Sequence, residues 1–268
     1  MTDTGPIPGI LETMTIDEVR AFKPEVVVLG IASTEPHGPH LPYGTDMFQC
    51  DAICRRGVAR GNEQGARALM YPTLPIGNNV NFKAFPFACR IGVRTLMRVV
   101  LDIIDALEAD GIRKIVLVNG HGGNPDTLRA VLREQLDRKP PGKSPFVCLV
   151  HGHALPSAEA KRAIEHFSDH AGESETSQMM HLRPDLVREE KLDAFERNQP
   201  AVEHLATASA EFVRPWHVYI PASAGGETRK STAAKGQALI DSAADNLAAL
   251  LVELTQKPWH ERFPYAAS

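Results

Sequence analysis

Apolar residues recur along this chain in two periods. Near-continuous runs occupy residues 25–32 (EVVVLGIA), 68–76 (ALMYPTLPI), 114–119 (KIVLVN), 146–151 (FVCLVH) and 217–222 (HVYIPA). A strand with one wet face alternates apolar and polar positions, whereas runs without alternation mark strands covered on both faces, as in parallel sheets. Between the runs, segments with the 3.6-residue period of a helix cover 47–60, 95–110, 125–138, 157–166 and 235–255. Strands alternating with helices predict βαβ units, and so an α/β fold with a mostly parallel sheet and helices on both sides. Thr45 is placed to cap a helix starting at Asp46 or Met47, and Gly111 separates a helix from the strand after it. The stretch 183–213 is polar and weakly periodic and reads as a flap or an oligomer contact.

The 268 residues are expected to form one domain, 1–268, because the linker-like stretches 139–145 (KPPGKSP) and 222–228 (ASAGGET) are short enough to be loops within it. Hydrophobic residues make up 43% and charged residues 23%, the balance of a chain with a real core. The net charge of −4 comes from interspersed residues with no basic block, which excludes nucleic acid as a partner. The first residues, MTDTGPIP, hold neither a basic leader nor an apolar span, so a cytoplasmic location without membrane contact is expected. Four scattered cysteines make no disulfide framework. Cys50 and Cys54, four apart on a predicted helix, read as a buried pair on one face rather than metal ligands.

Three clusters carry chemistry. The first, residues 33–46 (STEPHGPHLPYGTD), begins where the first strand ends. In extended chain Glu35 and His37 face the same side, and the prolines and glycines after them fold the backbone into a rigid loop able to bring Asp46 back to the same spot. The second, residues 118–124 (VNGHGGN), also follows a strand and precedes a helix. Glycines around His121 permit close backbone approach to a ligand. A phosphate-cradling loop is the competing reading, weakened because no Lys-Ser/Thr follows. The third, residues 169–177 (DHAGESETS), reads equally as a polar helix start or as a further set of ligands. Glu35, His37, Asp46, His121 and Glu175 together suit zinc first, with manganese or iron as alternatives. Three carboxylates exceed what one zinc usually takes. Two divalent ions with a bridging hydroxide would balance them, with Asp46 as the bridging ligand.

At these residues the sequence resembles the creatininase family, which shares the Glu35-x-His37-Gly38-x-His40-Leu41-Pro42-x-x-x-Asp46 loop, the Asn119-Gly120-His121 loop and the His170-x-x-x-x-Glu175-Thr176-Ser177 segment. The resemblance implies a three-layer α/β/α sandwich, frequently hexameric, that hydrolyses small amide or lactam C–N bonds with two metals. By position, Glu35, Asp46 and His121 resemble the ligands of one metal, and His37 and Asp46 those of the other. His170 resembles the proton-transferring histidine.

The chain also departs from creatinine-hydrolysing members. Gly123 stands where they place a metal-binding glutamate, so Glu175 is inferred to complete the second metal site. The tryptophan beside their catalytic histidine is replaced by His166 and Phe167 before Ser168 and Asp169. Both departures speak against creatinine itself as substrate, and the 77–87 loop (GNNVNFKAFPF) differs further, with Asn81-Phe82 where many relatives have Glu-His. This loop is expected to shape the substrate pocket. Asn79, the amides of Gly120 and Gly122, and His151 are the expected substrate contacts, and His40 is expected to be structural. The mechanism expected is attack by a metal-activated water on a small-molecule amide, with His170 protonating the leaving nitrogen. Rival readings are a formamide deformylase, a peptide-cleaving member of the same family, and a catalytically silent metal-binding assembly protein.

Overall fold

The computed structural model describes residues 8–166, 170–207 and 210–266. Four strands, β1 (Val26–Ile31), β2 (Ala68–Leu74), β3 (Lys114–Asn119) and β4 (Phe146–His151), form one fully parallel sheet in the order β2-β1-β3-β4. Val28 pairs with Val116 and Ile31 with Asn119, so β1 and β3 end level with each other. Both central strands are buried at every position, the reason their sequences run apolar without alternation. The helices in chain order are α1 (Ile16–Phe22), α2 (Thr45–Glu63), α3 (Val93–Ala109), α4 (Pro125–Asp137), α5 (Ala158–Arg162), α6 (Glu173–Leu182), α7 (Glu203–Thr207), α8 (Trp216–Tyr219) and α9 (Ala233–Gln256).

The core divides by strand parity into the two sides of a three-layer sandwich. Val26, Val28, Val116 and Val118 pack against Ile53, Cys54 and Val58 of α2 and Ile240, Leu247 and Leu251 of α9. Val27, Leu29, Ile115 and Leu117 pack against Leu96, Val100 and Ile104 of α3 and Leu128 and Val131 of α4. Removing one of these fully buried side chains, as in Ile104→Ala, costs about 2–5 kcal/mol. Cys50 and Cys54 are both buried in the α2 side of this core.

Three expectations need correction. Residues 217–222 are not a strand: α8 is a helical turn that starts after Pro215, and its Trp216 and the following Ile220, one turn apart, both pack on Phe82. The helix read over 157–166 shrinks to α5, because the buried Glu173 carboxylate accepts the backbone N–H groups of Glu165 and His166 and draws the chain off the helical path. Thr45 does not cap α2. It is the first helical residue, after Gly44, and its hydroxyl donates to Pro42 O at 2.7 Å. Gly111 does end α3, with φ +89°.

The weakly periodic segment resolves into short turns, α7 and a two-residue strand, β5 (Ala194–Phe195), antiparallel to β6 (Gly226–Glu227). The Gly225 amide next to β6 donates to His170 O at 3.1 Å, tying this ribbon to the start of the third cluster. Asp169 and its neighbours Phe167 and Ser168 lie outside the described residues, as do residues 1–7 of the leader reading. No helix among the described residues is long and apolar enough to cross a membrane.

Candidate metal centre

Because all four strands are parallel, the loops after them meet at one rim, where open α/β sheets bind their ligands. The rim is laced to the sheet. Gly120 N donates to Ile31 O at 2.9 Å, Ala32 N donates to Leu74 O at 2.9 Å, and the Asn124 amide, at the start of α4, donates to Ala32 O at 3.2 Å. These bonds fix where the loops of the first two clusters leave β1 and β3.

At this rim Glu35, His37, Asp46, His121, His170 and Glu175 come together. One Asp46 carboxylate oxygen, Oδ1, lies 3.1 Å from His37 Nε2, and the other, Oδ2, lies 3.0 Å from His121 Nδ1. Glu35 Oε2 is 3.3 Å from His121 Nδ1, Glu175 Oε2 is 3.7 Å from His37 Nε2, and Glu35 Oε1 is 3.8 Å from His170 Nδ1. Asp46 therefore belongs to two ligand groups at once, Glu35–Asp46–His121 and His37–Asp46–Glu175, while a third group joins Glu35, His37 and His170. The first five side chains are at most 6% exposed and Glu175 is 28% exposed, so Glu175 marks the side open to solvent.

The imidazole tautomers follow from backbone carbonyls, which can only accept. His37 Nδ1 donates to Glu35 O at 3.0 Å, His121 Nε2 to Asn78 O at 3.0 Å, and His170 Nε2 to Pro36 O at 2.9 Å. In the neutral rings the other nitrogen is then a lone pair, and for each of the three it is the one turned toward a carboxylate. Lone pair facing lone pair is repulsive unless a cation lies between, and Asp46 Oδ2 is buried with no hydrogen-bond donor of good geometry. The donors present therefore fit divalent metal.

Protonation tells the same story. Burial disfavours a charged His37, yet the carboxylates of Asp46, Glu175 and Glu35 overcome this and push its pKa up to about 9. Burial opposes charge on His121 too, and Glu35 and Asp46 hold it well above its ordinary value. Asp46, despite burial, is held below the usual carboxylate range by His37 and His121. Glu175 is pushed up to about 7 by burial and by its carboxylate neighbours, against the pull of His37. His170 is held well below the ordinary value by burial and by the nearby His37. The cluster carries more negative charge than it can bury alone, and it borrows protons where cations would serve.

The remaining expected contacts fall unevenly. Gly120 is committed elsewhere: its N–H is spent in the sheet, and a Cβ there would lie 2.6 Å from that of Cys50. It is a packing residue and offers no amide to a substrate. Gly122 is exposed, with open space where a Cβ would be. The buried Asn79 amide donates to Ser33 Oγ and Thr34 O, bracing the Glu35 loop from behind. His151 contacts Asn119, 3.3 Å from its amide nitrogen, rather than any of the six clustered side chains. His40 is buried, with Nε2 3.0 Å from Thr176 Oγ1 and its ring stacked on Phe195, a structural placement. The phosphate-loop reading fails because the Gly120, His121 and Asn124 amides are already bonded within the protein.

Several residues that hold the site together have no role of their own in the sequence reading. Ser33 donates to Glu35 Oε2 at 2.9 Å. Asn119 grips His121 on both sides, accepting from its N–H and donating to its carbonyl. Phe82 and Trp216 box in the His170 ring at centroid distances of 4.9 and 4.8 Å. Trp216 stands just outside the run 217–222 that reads as a strand. Proline followed by large side chains at a helical spacing, Trp216 and Ile220, was the signal available.

The architecture and rim cluster define an α/β/α sandwich with a buried imidazole–carboxylate centre. The chain belongs to the creatininase family, whose model, Creatininase: Creatinine amidohydrolase, matches residues 12–251. It is 31% identical over 198 residues, 72% of each chain, to the mycofactocin precursor peptide peptidase of Mycobacterium tuberculosis (strain CDC 1551 / Oshkosh). It is 30% identical over 179 residues to the creatinine amidohydrolase of Pseudomonas putida, covering 60% of this chain and 66% of that one. Among solved structures, a protein from Bacteroides fragilis NCTC 9343 provisionally assigned as a creatinine amidohydrolase superposes with TM-score 0.85 at 29% identity, over 95% of this chain and 99% of that one. A manganese form of creatininase superposes with TM-score 0.77 at 22% identity, over 93% and 99% respectively.

Proposed function

We propose that this chain hydrolyses an amide C–N bond with two divalent metal ions, and that the amide lies in a peptide. The observation that carries the metal reading is the position of Asp46, one oxygen turned to each of two ligand groups that share no other residue. Glu35, Asp46 and His121 would hold one ion, and His37, Asp46 and Glu175 the other. Imidazole and carboxylate without thiolate suit zinc, with manganese or iron as alternatives. When bound, the ions would supply a water of lowered pKa and polarise the substrate carbonyl.

The chain's own residues do the rest. Pro36 O fixes the His170 ring by accepting from Nε2, which leaves Nδ1 as the atom that handles the proton. Burial keeps that ring neutral, so Nδ1 is set to take a proton as water attacks and return it to the leaving nitrogen. The Phe82 and Trp216 rings shield this transfer from bulk water. Glu175, on the open side, is where the substrate approaches.

The peptide reading draws on the likeness to the mycofactocin precursor peptide peptidases, and the chain's lack of a glutamate at position 123 argues against creatinine. A small cyclic amide is the second reading, favoured by the likeness to the Pseudomonas putida enzyme. The test is metal content by plasma mass spectrometry on protein purified without chelators, followed by hydrolysis assays on peptides, lactams and formamides. About two ions per chain with peptide cleavage supports the proposal. Turnover of lactams alone moves the substrate to the second reading, and failure to bind metal even after reconstitution removes the mechanism.

A further inference from the structure

The loop 222–228, to which the sequence assigns no chemistry, returns to the metal centre. Pro221 and Ala222 are exposed, but Ser223, Ala224 and Gly225 turn inward and are buried. Ser223 Oγ donates to Pro36 O at 2.7 Å, and this is the carbonyl to which His170 Nε2 donates at 2.9 Å. A carbonyl oxygen has two lone pairs and serves both donors at once. Two residues on, the Gly225 amide donates to His170 O at 3.1 Å. Between them Ala224 packs on the turn at Gly38, where a Cβ would lie 2.8 Å from its own. Three consecutive residues thus hold both the ring acceptor and the main chain of His170.

The Ser223 backbone sits at φ +54°, in the left-handed region that glycine enters without strain and serine does not. Such a conformation persists where its surroundings over-determine it, and it is common at functional sites. Here the Ser223 amide donates to Ile220 O at 2.8 Å and the hydroxyl reaches Pro36. The ligands on either side of Pro36 have supports of their own. Glu35 N donates to Tyr43 O at 3.1 Å, Ser33 Oγ to Glu35 Oε2 at 2.9 Å, and His37 Nδ1 to Glu35 O at 3.0 Å. His170 is placed differently. Its Nδ1 lies 3.8 Å from Glu35 Oε1, so the Glu35 carboxylate and the Pro36 carbonyl attract the ring proton from opposite sides. A Pro36 carbonyl that tilts away cedes the proton to the Glu35 side, and Nδ1 can then no longer accept one.

We propose that Ser223 is a positioning residue for His170: its hydroxyl pins the Pro36 carbonyl, which keeps the ring proton on Nε2 and leaves Nδ1 to handle the proton in transfer. The proposal rests on the reading of His170 as the proton-transferring group and supplies the contact that sets its tautomer. Ser223 acts through Pro36 and does no chemistry itself.

The test compares zinc-loaded wild type, Ser223→Ala and Ser223→Gly. Both variants lose the hydroxyl, but glycine also relieves the left-handed backbone, so Ser223→Gly should melt above Ser223→Ala. Long-range 1H–15N NMR on histidine-labelled protein tells a protonated ring nitrogen from a bare one, with the His170 signals identified by their loss in His170→Ala. Wild type should carry the proton on Nε2, and both variants should show a fraction with it on Nδ1. Zinc content should stay at the wild-type level. On the best-cleaved member of a peptide, lactam and formamide set, kcat should fall about 10-fold in both variants with KM unchanged. An unchanged tautomer in both variants, or a wild-type proton already on Nδ1, overturns the proposal. So does wild-type kcat in Ser223→Gly, which would reduce Ser223 to a backbone role, or loss of zinc, which would make it a support of the ligand loop. A tautomer that shifts as expected while wild type cleaves no member of the set upholds Ser223 as the residue that orients His170 and sinks the hydrolase reading, so the two failures are distinguishable.

Discussion

A Cβ added at Gly123 would lie 2.1 Å from the carbonyl oxygen of Asn78, the same oxygen that accepts the Nε2 proton of His121. Position 123 is thereby closed to any side chain, and the Asn78 carbonyl that occupies the space orients the His121 imidazole, whose Nδ1 faces Glu35 and Asp46. Gly123→Glu should therefore fail to rebuild a ligand. It displaces Asn78 and frees the His121 ring to turn, so metal affinity should fall about 10–100-fold. Competition titration with a chelating dye checks this, and tighter binding in the variant would show that the loop yields instead.

His37 makes the metal-free protein sensitive to alkali. Its folded pKa of about 9 exceeds its ordinary 6.5, so the stability contributed by its proton is complete below 6.5 and is lost as pH rises through 9. Glu175, raised from 4.5 to about 7, acts in the same direction over a lower window. Chelator-treated protein should lose a few kcal/mol between pH 6.5 and 9, seen as a falling Tm. The metal-loaded protein, which needs no proton on His37 Nε2, should hold its Tm across that range. Parallel pH profiles for the two forms would mean that His37 is not the group metal replaces.

His170 separates turnover from metal binding if its part is proton transfer. His170→Ala should keep the wild-type metal content and lose about 10²–10⁴-fold in kcat. Loss of one ion per chain would instead make His170 a ligand, the role offered by the group it forms with Glu35 and His37.

Much of this site was legible because parallel strands force their loops to one rim: once 25–32 and 114–119 read as covered strands, Glu35, His37 and His121 had to be neighbours. Asp46 and Glu175 followed from charge, since buried carboxylates demand partners. What local sequence hid was long-range backbone chemistry. Nothing near Gly120 announces that its N–H closes onto Ile31 across the sheet, and nothing near Pro36 announces that its carbonyl orients His170 from 134 residues away. Trp216 was hidden for another reason: it stands just before the six-residue apolar run 217–222, where strand and helix look alike, and only packing on Phe82 decides.

Asn124 touches none of the six clustered side chains yet determines where one of them points. Its side-chain oxygen accepts from Asn78 N at 2.9 Å, while its amide donates to Ala32 O at 3.2 Å. One side chain thus holds the Asn78 carbonyl under His121 and anchors that loop to the end of β1. Asn124→Asp keeps the acceptor for Asn78 N but loses the donor, and places a carboxylate against Ala32 O. Asn124→Ala loses both. Each should lower metal affinity with little change in the pH profile of kcat at saturating metal, because His170 is untouched. The alanine variant should also lose about 1–3 kcal/mol of stability, since the buried Asn78 N–H is left without its partner. Calorimetry and metal titration of the two variants side by side check the assignment. Unaltered metal affinity in both, at reduced stability, would make Asn124 a fold residue with no hold on the metal centre.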